Sequence, residues 1–343
     1  MSDEDSVRLV RDSARAIVPV GGDYKRVRSL RFTEPGFDCT VWAQIEEMGW
    51  PLLRVPEADG GSGLGMCEFC ALAEELGAGL VPEPLIPVAM ALRIAPAAAG
   101  QIVIPAWQER ANTLSLHGPT TLRNGHVTGV KVFVPMAAGA DAFLVTTADG
   151  NAIVRRDAPG LRLDIVTTQD GGNFGTLRLD ATPAQPVSGG DPEAALEQAA
   201  LATAAYLLGV MDRAFAITLD YMRTRQQFGK PIGSFQALQH RAVDVEIQIA
   251  LTRASIEAAA ATLDAGCTQA QRQAAVSRAK ARASDAALFV TREAVQLHGG
   301  IAYTDEYDIG LFVRKAMTVC NQFGSSAVHR ARYAAVQPET DDE

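Results

Sequence analysis

The spacing of hydrophobic residues changes along the chain and defines three zones. Up to about residue 100 these residues recur at helical intervals, as in Trp42, Ile45 and Met48. From about 101 to 187, short β-prone runs at 129–135, 142–147 and 175–179 alternate with Asp-Gly, Asn-Gly and Gly-Gly turn signals. The pattern therefore predicts a helical zone followed by a small β-domain.

The third zone begins at Asp191-Pro192, a pair typical of a helix start, and continues rich in alanine. Within 196–221, 238–263, 276–297 and 309–319, apolar residues recur mainly at steps of three and four, which is the pattern of a helix-packing seam. Four such helices predict an antiparallel bundle. The predicted fold is mainly α with a central β-domain: a helical domain at 1–100, a small β-barrel or sandwich at 101–187, and a C-terminal four-helix bundle at 188–343.

Composition and charge exclude several functional classes. Of the 343 residues, 48% are hydrophobic and 21% charged, which is typical of globular chains and not of disordered ones. The net charge is −9, and the basic residues form no stripe, so nucleic acid is not an expected partner. The acidic start and the interrupted apolar segment at 80–100 predict neither a secretion signal nor a membrane span, and so a cytoplasmic protein.

Five scattered cysteines are expected to be reduced thiols rather than a disulfide framework. Cys67 and Cys70 form a CxxC pair, but it is a single copy in a helical run without a nearby histidine. We interpret the pair as part of a helical core, and we predict no metal site.

Two polar, glycine-containing segments interrupt the bundle pattern, at 221–240 and 296–307. Arg225 offers the forked donors that bind a pyrophosphate, and Phe228 offers a ring on which a base can stack. Gly299 and Gly300 let a ligand approach backbone N–H groups closely. Together they suit the adenine half of a dinucleotide. The alternative interpretation is structural: Arg225 caps a helix, Phe228 belongs to the core, and the glycines form a helix-ending turn.

These motifs, in their order along the chain, resemble the acyl-CoA dehydrogenase family. The resemblance includes Trp42 through Gly77 in the first zone, Lys131 and Phe133 in the second, and the two polar segments in the third. It implies an FAD-dependent enzyme that removes hydrogens from the α and β carbons of an acyl-CoA thioester and passes electrons to an external acceptor. It also implies flavin sites completed by a neighbouring subunit. The residues that match those contacts are Arg225, Phe228, Gln236, Gln296, Gly299 and Gly300.

The chain departs from the family at the catalytic base. Aligned with the family's last-helix motifs, the slot for the usual glutamate holds Phe323, which cannot accept a proton. A second position used in the family falls near Ala199 or Ala200. Glu197 lies two residues away, but at about 100° per residue it is predicted to point to nearly the opposite helix face. Glu197 is the remaining candidate for a displaced base.

The residues with which a family member contacts its neighbour's flavin are present in this chain, whereas residues that serve its own catalysis are missing. We therefore hypothesise that this is the base-lacking subunit of a heterotetramer of two related chains, as in family members that act on steroid side chains or dicarboxylyl-CoA esters. The alternatives are a homotetrameric dehydrogenase with a displaced base, a non-redox pseudoenzyme that binds a CoA ester, and a flavin oxidase or hydroxylase.

Overall fold

The computed structural model describes residues 3–18 and 23–337. The described part of the first zone is helical, as predicted, and α4 and α5 are its most buried helices. Short 3-10 turns at Trp50–Leu52, Glu57–Asp59 and Pro96–Ala98 join the helices. The helices are α1 (Asp3–Ala14), α2 (Lys25–Leu30), α3 (Cys39–Glu47), α4 (Met66–Ala78) and α5 (Leu85–Ile94).

The second zone contains two four-stranded sheets, in the orders β1-β4-β5-β8 and β2-β3-β7-β6. All pairings are antiparallel except that of β1 with β4. The three predicted β-prone runs lie in β3, β4 and β7, and β4 is buried at every position. The strands are β1 (Val103–Ala106), β2 (Thr121–Arg123), β3 (His126–Pro135), β4 (Ala142–Thr147), β5 (Gly150–Arg155), β6 (Leu161–Thr167), β7 (Asn173–Pro183) and β8 (Gln185–Val187).

The third zone is again helical. Asp191 caps its first helix, because its carboxylate accepts the backbone N–H of Ala194 at 3.0 Å. The central helix of this zone, α8, packs against α7, α9 and α10. The elements are α6 (Pro192–Thr224), β9 (Gln226–Gln227), β10 (Lys230–Pro231), α7 (Gln236–Asp264), α8 (Gln269–His298), α9 (Ile309–Val319) and α10 (Ser326–Ala335).

The fourth predicted helix is shorter than the other three. It ends at Val319, and a turn containing Gly324 separates it from α10. Ser325 caps α10 by accepting the backbone N–H of Val328, so the local sequence starts a new helix instead of continuing the old one.

The chain forms two compact units. One comprises Met1–Tyr24, Met66–Val81 and Ala200–Glu343, and the other Lys25–Gly65 and Pro82–Ala199. Each unit draws on separate stretches of the chain. The division into domains at 1–100, 101–187 and 188–343 follows changes in sequence texture and stays a prediction.

Two glycines set the distance between α4 and α6 in the first unit. A Cβ on Gly77 would lie 2.0 Å from the carbonyl oxygen of Tyr206, and one on Gly209 would lie 1.8 Å from that of Glu74. Only glycine allows the backbones to approach this closely. Arg253 of α7 strengthens the packing by contacting Glu74 of α4 and Asp212 of α6.

Within the described residues, α6 is the one helix long and apolar enough to cross a membrane. Of its most apolar window, 78% is buried inside the protein. Such burial is typical of the core helix of a globular protein, which passes the same test of length and composition.

Candidate functional site at one end of the helical bundle

A small hairpin follows α6 and presents Phe228 at its tip. β9 and β10 pair antiparallel, and the two residues between them, Phe228 and Gly229, have φ of 54° and 78°. Positive φ at both central residues is typical of the tight turns that close two-residue hairpins. The ring of Phe228 is 92% exposed, so the alternative that it belongs to the core is wrong.

Arg225 is fixed through its backbone, while its side chain is exposed. Its N–H donates to the carbonyl of Tyr221 at 2.8 Å, and its own carbonyl accepts the N–H of Ile232 at the same distance. Gln236 is the first residue of α7 and is also exposed. The hairpin and the residues that flank it therefore present an aromatic ring, a guanidinium and an amide to solvent.

The second predicted segment lies at the C-terminal end of α8. Gly299 ends the helix with φ of 68°, and Gly300 follows it in a 3-10 turn. A Cβ built on either glycine meets nothing within 4 Å, so both backbones border open space. Gln296 lies one turn earlier and is exposed. A ligand can therefore reach the backbone here, although Gly299 also serves as the helix-ending residue that the structural alternative predicted.

A hydrophobic cluster joins the two segments. It contains Met222 of α6, Ile232 of the hairpin region and Leu297 of α8. Beside it, the rings of Tyr221 and His298 stack with centroids 4.4 Å apart. The structure therefore brings Arg225, Phe228 and Gln236 to the same end of the bundle as Gln296, Gly299 and Gly300.

His298 supports this end of the bundle as a neutral side chain. Burial lowers its pKa, and its Nδ1 lies 2.7 Å from the carbonyl oxygen of Ala294, so Nδ1–H is the donor. Its Nε2 is buried and has no hydrogen-bond partner among the described residues. The imidazole therefore acts as a flat packing surface for Tyr221.

A groove of about 420 Å³ lies beside Gln296, between α8 and α9. Arg292, Arg314 and the largely exposed Tyr303 also line it. Arg314 approaches the exposed carboxylate of Asp305 at 3.3 Å. The two guanidinium groups and the ring suit a phosphate-bearing ligand. Sequence reasoning did not identify Arg292 or Tyr303, because nothing in their spacing distinguishes them from ordinary helix and turn residues.

Phe323, at the predicted base slot, lies in the turn between α9 and α10. It is 4% exposed and has φ of 54°. The fully buried ammonium of Lys280 donates to the carbonyls of Cys320 at 2.8 Å and Gly324 at 3.0 Å, on either side of it. His329 of α10 completes the arrangement, because its Nε2–H donates to the carbonyl of Phe323 at 2.9 Å.

Burial lowers the pKa of Lys280 to about 7, and electrostatic interactions with Cys320 and Asp285 partly oppose that shift. Burial, together with the nearby charge of Lys280, lowers the pKa of His329 to about 3. His329 is therefore a neutral donor at pH 7. This network could not be predicted from the sequence, because a lysine in an alanine-rich helix usually lies at the surface.

Glu197 is completely buried in α6. Ala199 and Ala200, which follow it, are also buried, at 2% and 1% exposure. The geometric argument that Glu197 points away from the second base position stays a prediction.

A buried ion pair organises the β-sheets of the second unit. The Lys131 ammonium lies 2.7 Å from Glu109 Oε1, which also accepts the N–H of Thr120 at 3.1 Å. Burial works to raise the pKa of Glu109, but the hydrogen bonds from Lys131 and Thr120, together with the charge of Lys131, outweigh it and hold the pKa below its usual range. Two residues further along β3, Phe133 is 48% exposed. Lys131 thus anchors the strand that presents this ring.

No group of three or more His, Cys, Asp or Glu side chains that could hold a metal ion occurs among residues 3–18 and 23–337. Cys70 is buried in α4, and Cys67 is partly exposed.

The exposed residues at the bundle end fit the distal half of FAD: Arg225 for the pyrophosphate, Phe228 for stacking, and open backbone at Gly299 and Gly300. Sequence comparisons point to the same cofactor. Family models described as acyl-CoA dehydrogenase N-terminal and C-terminal domains match residues 4–99 and 192–337. The acyl-CoA dehydrogenase IpdE2 of Mycolicibacterium smegmatis is 33% identical over 316 residues, covering 90% of this chain and 91% of the relative.

Solved structures show the same fold. A variant of the Tcur3481-Tcur3483 steroid ACAD is similar with a TM-score of 0.87 and 29% identity, and 98% of each chain is covered. The ChsE4-ChsE5 complex from Mycobacterium tuberculosis is similar with a TM-score of 0.85 and 26% identity, covering 98% of this chain and 97% of that one. The chain thus belongs to the acyl-CoA dehydrogenase family of FAD-dependent oxidoreductases.

Proposed function

We propose that this chain is the base-lacking subunit of a heteromeric acyl-CoA dehydrogenase that introduces a double bond between the α and β carbons of an acyl-CoA thioester. Two such chains and two catalytic partner chains would form a heterotetramer in the cytoplasm. The assembly would hold two complete flavin sites and pass its electrons to an external acceptor. Similarity to a steroid ACAD favours a bulky, polycyclic acyl group.

The observation that carries this proposal is the buried Phe323. Removal of the α proton requires a base close to the thioester, and a phenyl ring cannot accept a proton. Because Lys280 and His329 bind the carbonyls of this turn, a carboxylate from elsewhere cannot take the place of Phe323 unless the turn rearranges. The base must then come from the partner chain, in the partner's own site.

The predicted flavin contacts lie far from Phe323 along the bundle. Gln296 lies sixteen positions after Lys280 in α8, which corresponds to about 24 Å along the helix axis. This distance suits a chain that contributes to the distal half of a flavin whose reacting ring lies in another subunit. When bound, FAD supplies the hydride acceptor of the dehydrogenation. Arg225 would bind its pyrophosphate, and Phe228 would stack on its base.

An exposed apolar face on α7 supports the presence of a partner chain. Val243, Ile247 and Leu251 are 56%, 46% and 51% exposed. Ala250, Ala254 and Ala258 are exposed between and beyond them at helical spacing. Contiguous apolar surface of this kind usually marks a protein interface, and small residues permit close helix packing. Two of the similar structures are also pairs of different chains, Tcur3481-Tcur3483 and ChsE4-ChsE5.

The deciding experiment is to measure flavin absorbance and mass for the chain expressed alone and together with a dehydrogenase-like chain encoded beside it. We expect the chain alone to be colourless, and the pair to form a yellow complex with about one FAD per two chains. A yellow homotetramer with one FAD per chain would contradict the proposal. In that case Glu197→Gln tests the displaced base. A chain that binds a CoA ester but no flavin in either preparation would be a pseudoenzyme.

A further inference from the structure

A second groove, of about 600 Å³, lies between α7, α8 and α10, in the first unit. None of the six residues predicted to contact the flavin lines this groove. One face of α8 forms its floor, through residues spaced three or four apart, such as Arg278, Arg282 and Phe289. Arg330 and Tyr333 of α10 form one wall. We call this site the arginine groove, defined by Arg278, Arg282, Phe289, Arg330 and Tyr333.

The charges in the arginine groove do not balance. Its lining contains three guanidinium groups and one carboxylate, that of Asp285. Asp285 is already engaged, because it contacts Arg330 and accepts the hydroxyl of Ser326 at 2.9 Å. In a chain with a net charge of −9, this local excess of positive charge is a distinct feature.

Arg282 and Arg278 carry the excess charge. Arg282 donates to the neutral Gln248 side chain at 3.1 Å, and its Nε is buried without a hydrogen-bond partner among the described residues. Arg278 is exposed and forms no ion pair within the described part of the chain. The two lie four residues apart on α8, so their guanidinium groups can act on one dianion.

Aromatic rings add a second recognition element. Phe289 is 39% exposed in the groove, although phenylalanine is usually buried, and Tyr333 is half-buried on α10. Exposed rings beside arginines suit a flat base with an attached phosphate. The volume lies within the range of small-molecule sites.

We propose that the arginine groove binds an adenosine phosphate, with Arg278 and Arg282 on the phosphate and Phe289 against the base. Free nucleotide and the nucleotide end of coenzyme A share this chemistry. The proposal does not depend on the base-lacking role of the chain or on its flavin contacts.

Titration calorimetry of the full-length chain, alone or with its partner, tests the proposal with AMP and with free coenzyme A as separate probes. We expect saturable binding of AMP, and at least tenfold weaker binding to the double variant Arg278→Gln/Arg282→Gln. If coenzyme A binds more tightly than AMP, and the double variant loses this binding, the ligand of the groove is the nucleotide end of coenzyme A. The control variant Arg110→Gln/Arg123→Gln removes an equal charge at exposed positions outside the groove and should leave the affinity unchanged.

The adenine contacts proposed for FAD require a separate control, since AMP could bind there. Arg225→Ala should leave AMP binding intact if the arginine groove is the site. Loss of AMP binding in Arg225→Ala, with normal binding in the double variant, would overturn the proposal. The proposal would also be overturned if neither AMP nor coenzyme A bound saturably. It would equally be overturned if an oligoglutamate peptide bound and the two nucleotides did not. Circular dichroism of each variant would verify that the fold is retained.

Discussion

The buried ammonium of Lys280 links α8 to the turn between α9 and α10. It donates to Ser284 on its own helix and to the carbonyls of Cys320 and Gly324 in the turn that holds Phe323. A buried charge is costly unless all its hydrogen bonds are made, and here three donors meet three acceptors. The residue at the base slot is therefore fixed by a side chain distant from it in sequence.

We predict that Lys280→Met lowers the free energy of unfolding by about 3 kcal/mol. The substitution keeps the length and apolar stem of the side chain, but it removes the donor to the buried carbonyl of Gly324 and one of the two donors to that of Cys320. Urea unfolding followed by circular dichroism measures the change. Lys25→Met, at an exposed position of α2, should cost less than about 0.5 kcal/mol. Equal effects of the two variants would show that the network contributes nothing specific.

His329 should make the protein sensitive to acid. Its pKa is about 3 in the folded chain, against 6.5 for an ordinary histidine, so its stabilising contribution is complete above pH 6.5 and is lost as the pH falls towards 3. Between pH 7 and pH 5 the loss is about 2 kcal/mol. Unfolding experiments at the two pH values should show a smaller difference in His329→Gln than in the wild type. The matched variant His117→Gln, at an exposed loop position, should retain the wild-type difference.

At the scale of elements, the hairpin after α6 and the end of α8 act together. The hairpin ends in two residues with positive φ, and its base rests on the cluster of Met222, Ile232 and Leu297. Arg225 and Phe228 are exposed and make few contacts themselves, but the packed cluster beneath them holds their backbone in place. This arrangement predicts that substitutions at Arg225 affect binding and leave folding intact.

Arg225→Ala should release FAD from the assembled enzyme, because it removes a charge-assisted contact of about 1.5 to 3 kcal/mol. The ratio of flavin absorbance to protein absorbance after gel filtration measures occupancy. Arg223→Ala is a suitable control, since Arg223 lies two residues earlier, is exposed and pairs with Asp220 at 3.0 Å. Unchanged occupancy in Arg225→Ala would refute the assignment of Arg225 to the flavin.

The contact of α4 with α6 gives a prediction about stability. Gly209→Ala places a Cβ 1.8 Å from the carbonyl oxygen of Glu74, so the helices must separate. We expect a loss of about 3 kcal/mol, at the upper end of the usual cost of overpacking. Gly310→Ala in α9 places its Cβ 3.3 Å from the carbonyl oxygen of Ala302, which requires a shift of only a few tenths of an ångström, and should cost far less. Thermal unfolding of both variants would test whether the close approach is rigid.

At the scale of the whole molecule, the apolar face of α7 is the feature most directly tied to assembly. We predict that Ile247→Glu/Leu251→Glu prevents association with the partner chain, because it buries two charges in an apolar interface. Light scattering after gel filtration measures the mass of the complex. Ala270→Glu, in the exposed first turn of α8, should leave the complex intact. A double variant that still assembles would exclude this face as the interface.

The order of helical, β and helical zones could be predicted because it depends on local spacing, and β4 coincides with the predicted run at 142–147. The two polar segments could also be identified, since their glycine and arginine residues interrupt the regular spacing of apolar residues in the bundle helices. Features that depend on distant contacts could not. Examples are the Lys280 network and the Lys131–Glu109 pair, each created by residues that have ordinary local neighbours.

The exposed face of α7 has a consequence for the supply of the protein in the cell. A chain synthesised without its partner would expose Val243, Ile247 and Leu251 to solvent, and apolar surfaces of this kind associate nonspecifically. Orphan chains would be lost to precipitation or proteolysis. The amount of this protein would then follow the amount of its partner, and balanced synthesis of the two chains would matter as much as the stability of either.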